Sequence, residues 1–330
     1  MHDTKSILAI IVVIALFVGL FSFVPKHEVK AAGSLSPLHV EGVALADKNG
    51  KAIQLRGLSH HGMAWFPQYV NNSFYKQMHD KWGCNVVRAA MYTEEYNGYC
   101  TGAEAKKNSI KLVKKAIKYA TDNNMYVIVD WHILSDGNPN QHTKEAKGFF
   151  KWVAKHYGDQ GNVIYEICNE PNGGTTWADI KKYANKVIPV IRQYDPDSVI
   201  IVGTPTWSQE LDKAAADPLK YNNVLYALHF YAATHREWLQ DTYTNAIKAE
   251  LPVFVSEFGI CSADGNGTVD KAFANKWIKL LNKNKTSYCM WNISNKAEAS
   301  SIIKPEVTKT SGFTKSDLTV SGRWFLKKLK

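Results

Sequence analysis

Beyond residue 50 the chain alternates between two hydrophobic rhythms. Short runs are apolar almost throughout, and longer stretches between them carry apolar residues every three to four positions. The first rhythm predicts buried strands, the second amphipathic helices with one face on a core. The strand candidates are Gln54–Leu58, Asn85–Ala90, Tyr126–Trp131, Val163–Cys168, Val199–Val202, Val224–His229, Val253–Ser256 and Tyr288–Trp291. Helical patterns lie between them at Ala103–Asp122, Thr143–His156, Trp177–Tyr194, His235–Ala249 and Val269–Asn282, and Leu318–Leu329 closes the chain. Strand–helix alternation repeated eight times predicts parallel strands with right-handed crossovers, closed into one (β/α)8 barrel. A short hairpin-like start, Leu38–Leu55 with a turn at Asn49-Gly50, precedes the barrel. The α/β domain is expected over 34–330, with no Pro/Ser/Thr-rich linker or second module behind its last helix.

Residues 1–31 read as a separate element. Lys5 precedes an uncharged apolar run, Ile7–Val24, followed by Pro25 and a polar stretch ending in Val29-Lys30-Ala31. A charged start, apolar middle and small residues at the cut describe a secretory signal peptide. The run is also just long enough to cross a bilayer as an N-terminal membrane anchor. Either way the barrel is expected outside the cytoplasm: secreted, or anchored at the outer face of the membrane.

Composition changes this picture little. The chain has 330 residues, 45% of them hydrophobic and 21% charged, which is ordinary for a globular protein. Its net charge of +10 raises the question of nucleic acid. However, the lysines alternate with apolar residues in stretches such as Lys106–Lys118, the pattern of a solvated helix face, and no nucleic-acid motif interleaves with them. No nucleic acid partner is expected, and the domain is expected to be a monomer. Five cysteines, Cys84, Cys100, Cys168, Cys261 and Cys289, lack metal-ligand spacing; three sit in or beside strand runs, so at most one disulfide is expected.

A closed barrel of this kind gathers its chemistry at the carboxyl ends of the strands. Read in turn, those ends carry His60 and His61, Arg88, His132, Asn169 and Glu170, Trp207, His229 and Tyr231, Glu257, and Trp291. Asn169-Glu170-Pro171 follows a buried strand, with proline turning the chain out of the sheet beside an acid. Glu257 ends a second apolar run, and Gly259 is expected to let the backbone turn away. Two carboxylates at one rim are the equipment for breaking a glycosidic bond, one protonating the leaving oxygen while the other attacks or stabilises the sugar carbon. Glu166 shares a face with Glu170, but four strand residues separate them by roughly 13 Å. It is expected inside the barrel, paired with Arg88, which is also placed to keep Glu257 ionised. His132, His229 and Tyr231 can orient the carboxylates and meet hydroxyl groups. Trp65, Trp207 and Trp291 follow strands one, five and eight, where indoles can stack on sugar rings. Adjacent His60-His61 cannot both point inward, which counts against a metal-binding pair, so no metal and no cofactor are expected.

From about Leu55 onward the chain resembles a bacterial endo-β-1,4-glucanase (cellulase) of glycoside hydrolase family 5, in clan A. The matching stretches are Arg56–Gly62, Val87–Tyr92, Val129–Leu134, Val163–Glu166, Asn169–Pro171, Thr206–Gln209, His229–Tyr231 and Ser256–Gly259. The resemblance implies retention of configuration, with Glu170 as acid/base and Glu257 as nucleophile. It implies Arg88, Tyr92, His132, Asn169, His229, Tyr231 and Trp291 around them, and His61, Trp65, Trp207 and Lys296 as sugar contacts. It further implies a cis peptide at Trp291-Asn292 and a β-1,4-glucan polysaccharide as substrate. Mannan, xylan and xyloglucan are the alternatives on the same barrel, as is a non-catalytic glycan-binding protein. Cys168 and Pro205 depart from the common pattern, the latter in the loop presenting Trp207. No cellulose-binding module is visible, which puts tight binding to crystalline cellulose in doubt.

Overall fold

The structure, a computed structural model, describes residues 35–330; the expected signal or anchor over 1–31 lies outside the described residues. Three short strands, His39–Glu41, Ala44–Ala46 and Ala52–Ile53, form a small antiparallel sheet. The eight strands that follow are β1 (Arg56–His60), β2 (Val86–Tyr92), β3 (Tyr126–His132), β4 (Val163–Glu166), β5 (Ile200–Val202), β6 (Val224–Tyr231), β7 (Val253–Gly259) and β8 (Tyr288–Ile293). Every neighbouring pair is parallel, and β8 pairs with β1 to close the barrel in sequence order. The expected fold is the observed one.

Alternation along the strands separates two cores. Outward residues such as Val87, Ala89, Val127, Val129, Tyr165 and Val255 join the helices in one large cluster. Inward residues at the amino ends, among them Val86, Ile128, Ile164, Leu225, Phe254 and Cys289, form a second cluster with Leu38, Leu45 and Leu55. The N-terminal sheet therefore plugs the bottom of the barrel with apolar side chains. Two residues further along, the inward positions become Arg88, Asp130, Glu166 and Ser256, all buried. Apolar below and charged above, the interior directs its chemistry to one end.

Several boundaries differ from expectation for local reasons. β1 starts at Arg56, because the Gln54 side chain instead donates to Asn282 Oδ1 and the Thr286 carbonyl. β4 ends at Glu166, and the chain beyond it reaches across: Ile167 N–H donates to Ile201, and Asn169 N–H to Trp131. β7 continues through Gly259 rather than turning there. A Cβ at Gly259 would lie 2.4 Å from the Tyr231 ring, so this glycine serves a close approach, not a turn. A short helix over Asn72–Gln77, capped by Asn71, and another over Leu211–Ala216 were not expected. All five cysteines are unpaired thiols.

Candidate active site

Arg88 organises the upper interior. Its Nε donates to Glu166 Oε2 at 2.7 Å and its Nη2 to Glu166 Oε1 at 3.1 Å, so the pairing expected of Glu166 is found and is bidentate. Nη2 also donates to Asn169 Oδ1 at 2.6 Å and lies 3.0 Å from Asp130 Oδ2, while Nη1 donates to Glu257 Oε2 at 3.0 Å. A planar guanidinium with five N–H donors can serve so many acceptors at once, whereas an ammonium cannot. Burial pushes Glu166 upward, but the Arg88 charge and hydrogen bonds outweigh it and hold the carboxyl at about 2.

Each rim carboxylate is gripped by its own partners. Glu257, 5% exposed, accepts from Arg88 on Oε2 and from the Tyr231 hydroxyl on Oε1 at 2.8 Å. A register shift between Phe254 and Glu257 sets Glu257 beside His229 on β6. Glu170 sits on the turn after β4, with Oε1 2.8 Å from His229 Nδ1. One oxygen from each carboxylate and one His229 nitrogen all lie within 4.8 Å of one another. Desolvation would lower His229, but the surrounding carboxylates, Glu166, Glu170 and Glu257, raise it to about 9. Its other nitrogen, Nε2, faces Ser256 Oγ at 2.9 Å.

His132 is fixed differently. Its Nδ1 lies 2.6 Å from Asp130 Oδ2, and its ring stacks on Trp291 at 5.3 Å and 9°. The Tyr92 ring packs against that of His132 at 4.2 Å, tilted by 60°. Burial, aided by the Arg88 charge, lowers His132 to about 3, so its imidazole is neutral. Trp291 precedes a cis peptide to Asn292, as the resemblance implied. The two adjacent histidines part as expected: His60 contacts Tyr75 at 3.0 Å, whereas His61 faces Trp291 and lies 3.3 Å from Lys296 Nζ.

Two exposed tryptophans flank this centre. Trp65, 45% exposed, follows β1, and Trp207, 46% exposed, follows β5. In a closed ring of eight sequential strands those two sectors are diametrically opposed. The Trp207 loop has left-handed backbone at Thr206, Trp207 and Ser208. It is tied to the turn bearing Glu170: Trp207 N–H donates to the Pro171 carbonyl at 3.0 Å, and Ser208 Oγ to the Asn169 carbonyl at 2.7 Å. Gly203 makes that approach possible, since a Cβ there would sit 2.5 Å from the Cys168 oxygen.

The structure thus brings Glu170, Glu257, Arg88, Asn169, His132, His229, Tyr231, Tyr92 and Trp291 to one end of the barrel, with His61, Lys296, Trp65 and Trp207 around its edge. Sequence reading missed Asp130, Ser256, Tyr96 and Glu298. Asp130 had a usable signal, because Ile128, Asp130 and His132 share one face of a strand. Tyr96, whose ring lies 5.0 Å from that of Trp65, and Glu298, which pairs with Lys296 at 2.6 Å, lie in loops whose pattern says nothing of position.

Comparison with known proteins places this geometry in a lineage. The cellulase model, glycosyl hydrolase family 5, matches residues 46–297. An endoglucanase from Clostridium saccharobutylicum is 48% identical over 320 residues, covering 97% of this chain and 70% of that protein. Endoglucanase N from Pectobacterium atrosepticum is 43% identical over 311 residues, covering 94% and 68%. The catalytic domain of Thermobifida fusca endoglucanase Cel5A, solved with cellotetraose, superposes with a TM-score of 0.85 at 38% identity, covering 89% of this chain and 97% of that one.

Proposed function

The chain belongs to the cellulases of glycosyl hydrolase family 5, and from that premise we propose that its barrel hydrolyses internal β-1,4-glucosidic bonds of cellulose and related β-glucans. Glu257 acts as nucleophile and Glu170 as acid/base. The observation that carries this reading is the spacing of the pair, with one oxygen of each carboxylate within 4.8 Å of the other. Retaining glycosidases hold their carboxyl groups about 5–5.5 Å apart, whereas inverting ones leave room for a water at about 6.5–9.5 Å.

The reaction follows from how each group is held. Arg88 and Tyr231 grip the two Glu257 oxygens and fix the carboxylate for attack on the anomeric carbon. Glu170 has Oε1 against His229, which leaves Oε2 to deliver a proton to the leaving oxygen. In the second step Glu170 takes a proton from water, which attacks the glycosyl–Glu257 ester and releases a sugar of unchanged configuration. Asn169, oriented by Arg88, and His132, through Nε2, are positioned for the hydroxyls of the sugar under attack. His61 and Lys296 face hydroxyls at the edge. Trp65 and Trp207 stack glucose units on opposite sides of the scissile bond, so the substrate spans the rim, which favours internal cleavage of a polymer. Catalysis runs in an exported, monomeric domain, residues 1–31 supplying the export signal.

A panel of soluble cellulose derivative, mannan and xylan, read by reducing ends and product lengths, tests this. The expected result is turnover of the cellulose derivative to mixed short oligomers, abolished by Glu257→Gln. Equal or greater turnover of mannan or xylan would overturn the substrate assignment.

A further inference from the structure

We infer that Ser256 is a positioning residue: it fixes on which ring nitrogen His229 carries its proton, and thereby ties the protonation of Glu170 to a change of charge. This rests on Glu170 being the acid/base.

The inference comes from counting hydrogens along a buried chain of contacts. Glu166 is an ionised carboxylate, paired twice with Arg88, and can only accept. Ser256 Oγ lies 2.7 Å from Glu166 Oε1, so its single hydrogen is committed there. The same oxygen lies 2.9 Å from His229 Nε2 and has only a lone pair left to offer. Nε2 must therefore carry a hydrogen in every state. Glu166 itself is 3.9 Å from Nε2, too far for a direct bond, so its influence passes through the serine. All three side chains are buried, leaving no solvent to relax the constraint.

The consequence falls on Nδ1, 2.8 Å from Glu170 Oε1. With Nε2 pinned, a neutral His229 has no hydrogen on Nδ1 and cannot donate to an ionised Glu170. It donates only as imidazolium. One proton is thus shared between His229 and Glu170, and the state lacking it faces a bare nitrogen lone pair against a carboxylate. Among the groups around His229, Glu166 and Glu170 from the β4 side and Glu257 from β7 favour its charge. Arg88 from β2, paired with Glu166 and Glu257, carries the opposing charge, and Asp130 from β3 is itself pushed well up by burial, toward its neutral form. Tyr231, on its own strand, donates to Glu257, and His235 beyond it is held neutral, at about 4, by burial and the His229 charge.

Removing the hydroxyl frees the other tautomer. In Ser256→Ala, a neutral His229 can place its hydrogen on Nδ1 and donate to ionised Glu170 without charge, which stabilises the state that has lost the shared proton. The alkaline limb of kcat/KM on cellotetraose is then expected about one to two pH units lower than in the unaltered protein, the shift equivalent to one charge-assisted hydrogen bond. Ser256→Thr keeps the hydroxyl and is expected to keep the limb. Nitrogen-15 NMR of His229 reads the tautomer without activity: hydrogen on Nε2 throughout in the unaltered protein, and on Nδ1 above the transition in Ser256→Ala. An unmoved limb in folded Ser256→Ala, or hydrogen on Nδ1 in neutral His229 of the unaltered protein, would overturn the inference. Should Ser256→Ala not fold, the unaltered protein's spectrum decides alone. Absence of turnover with the tautomers as stated would count against the hydrolase reading and leave the serine's role standing.

Discussion

At the scale of single residues, Arg88 is the group on which the site depends most. It is fully buried, and Glu166, Glu257, Asp130 and Asn169 all turn toward it. A buried ion pair need not stabilise relative to an apolar replacement of the whole cluster, but removing one partner strands the others in low dielectric. Arg88→Met is therefore expected to cost about 3–5 kcal/mol of stability in denaturant titration and to abolish turnover. A loss below about 1 kcal/mol would mean that the carboxylates simply protonate and that the cluster carries little. Arg88 and its pairing with Glu166 were legible in the sequence, since an arginine and an acid inside one barrel must find each other. Ser256 was not: a small polar residue at a strand end carries no signal until its neighbours are in place.

At the scale of elements, the barrel strands were readable because both faces are buried and leave uninterrupted apolar runs. Their ends were less so, because side chains such as Gln54 compete for the backbone and the bulge before Glu257 extends β7. The short helices at Asn72–Gln77 and Leu211–Ala216 contain too few turns for a period to emerge. The Trp207 loop shows what sequence pattern cannot give: its left-handed backbone and its tethers to the Glu170 turn are tertiary. Because the loop is fixed, Trp207 presents its ring without an ordering cost. Trp207→Ala is expected to lower kcat/KM on long cello-oligosaccharides roughly tenfold, equivalent to about 1.4 kcal/mol, and less on the shortest substrate cleaved. An equal loss at every length would assign the indole to loop packing rather than to a stacking platform.

At the scale of the whole molecule, five buried histidines among the described residues make stability pH-dependent in two directions, and burial lowers His61 in the same sense as His60, His132 and His235. His60 and His132 are lowered to about 3, and His235 to about 4, chiefly by burial. In the unfolded chain all three titrate near 6.5. Their folded values are depressed, so the stability they contribute is present above about pH 6.5 and is lost as pH falls toward 3. His229, raised to about 9, has the opposite sign: its contribution is full below about pH 6.5 and disappears as pH rises through 9. Thermal unfolding should therefore show a maximum near neutrality, falling on both sides; a melting temperature flat from pH 7 to 4 would contradict the burial of neutral imidazoles. Residues 35–330 form a barrel plugged with apolar side chains at one end and opened at the other, where Glu170 and Glu257 face each other. A 2-deoxy-2-fluoro cellobioside with a good leaving group, incubated with the enzyme and followed by peptide mass spectrometry, tests that pair most directly. One glycosyl group per chain on the peptide containing Glu257 is the predicted result, and labelling of another carboxylate, or none while substrate turnover continues, would contradict it.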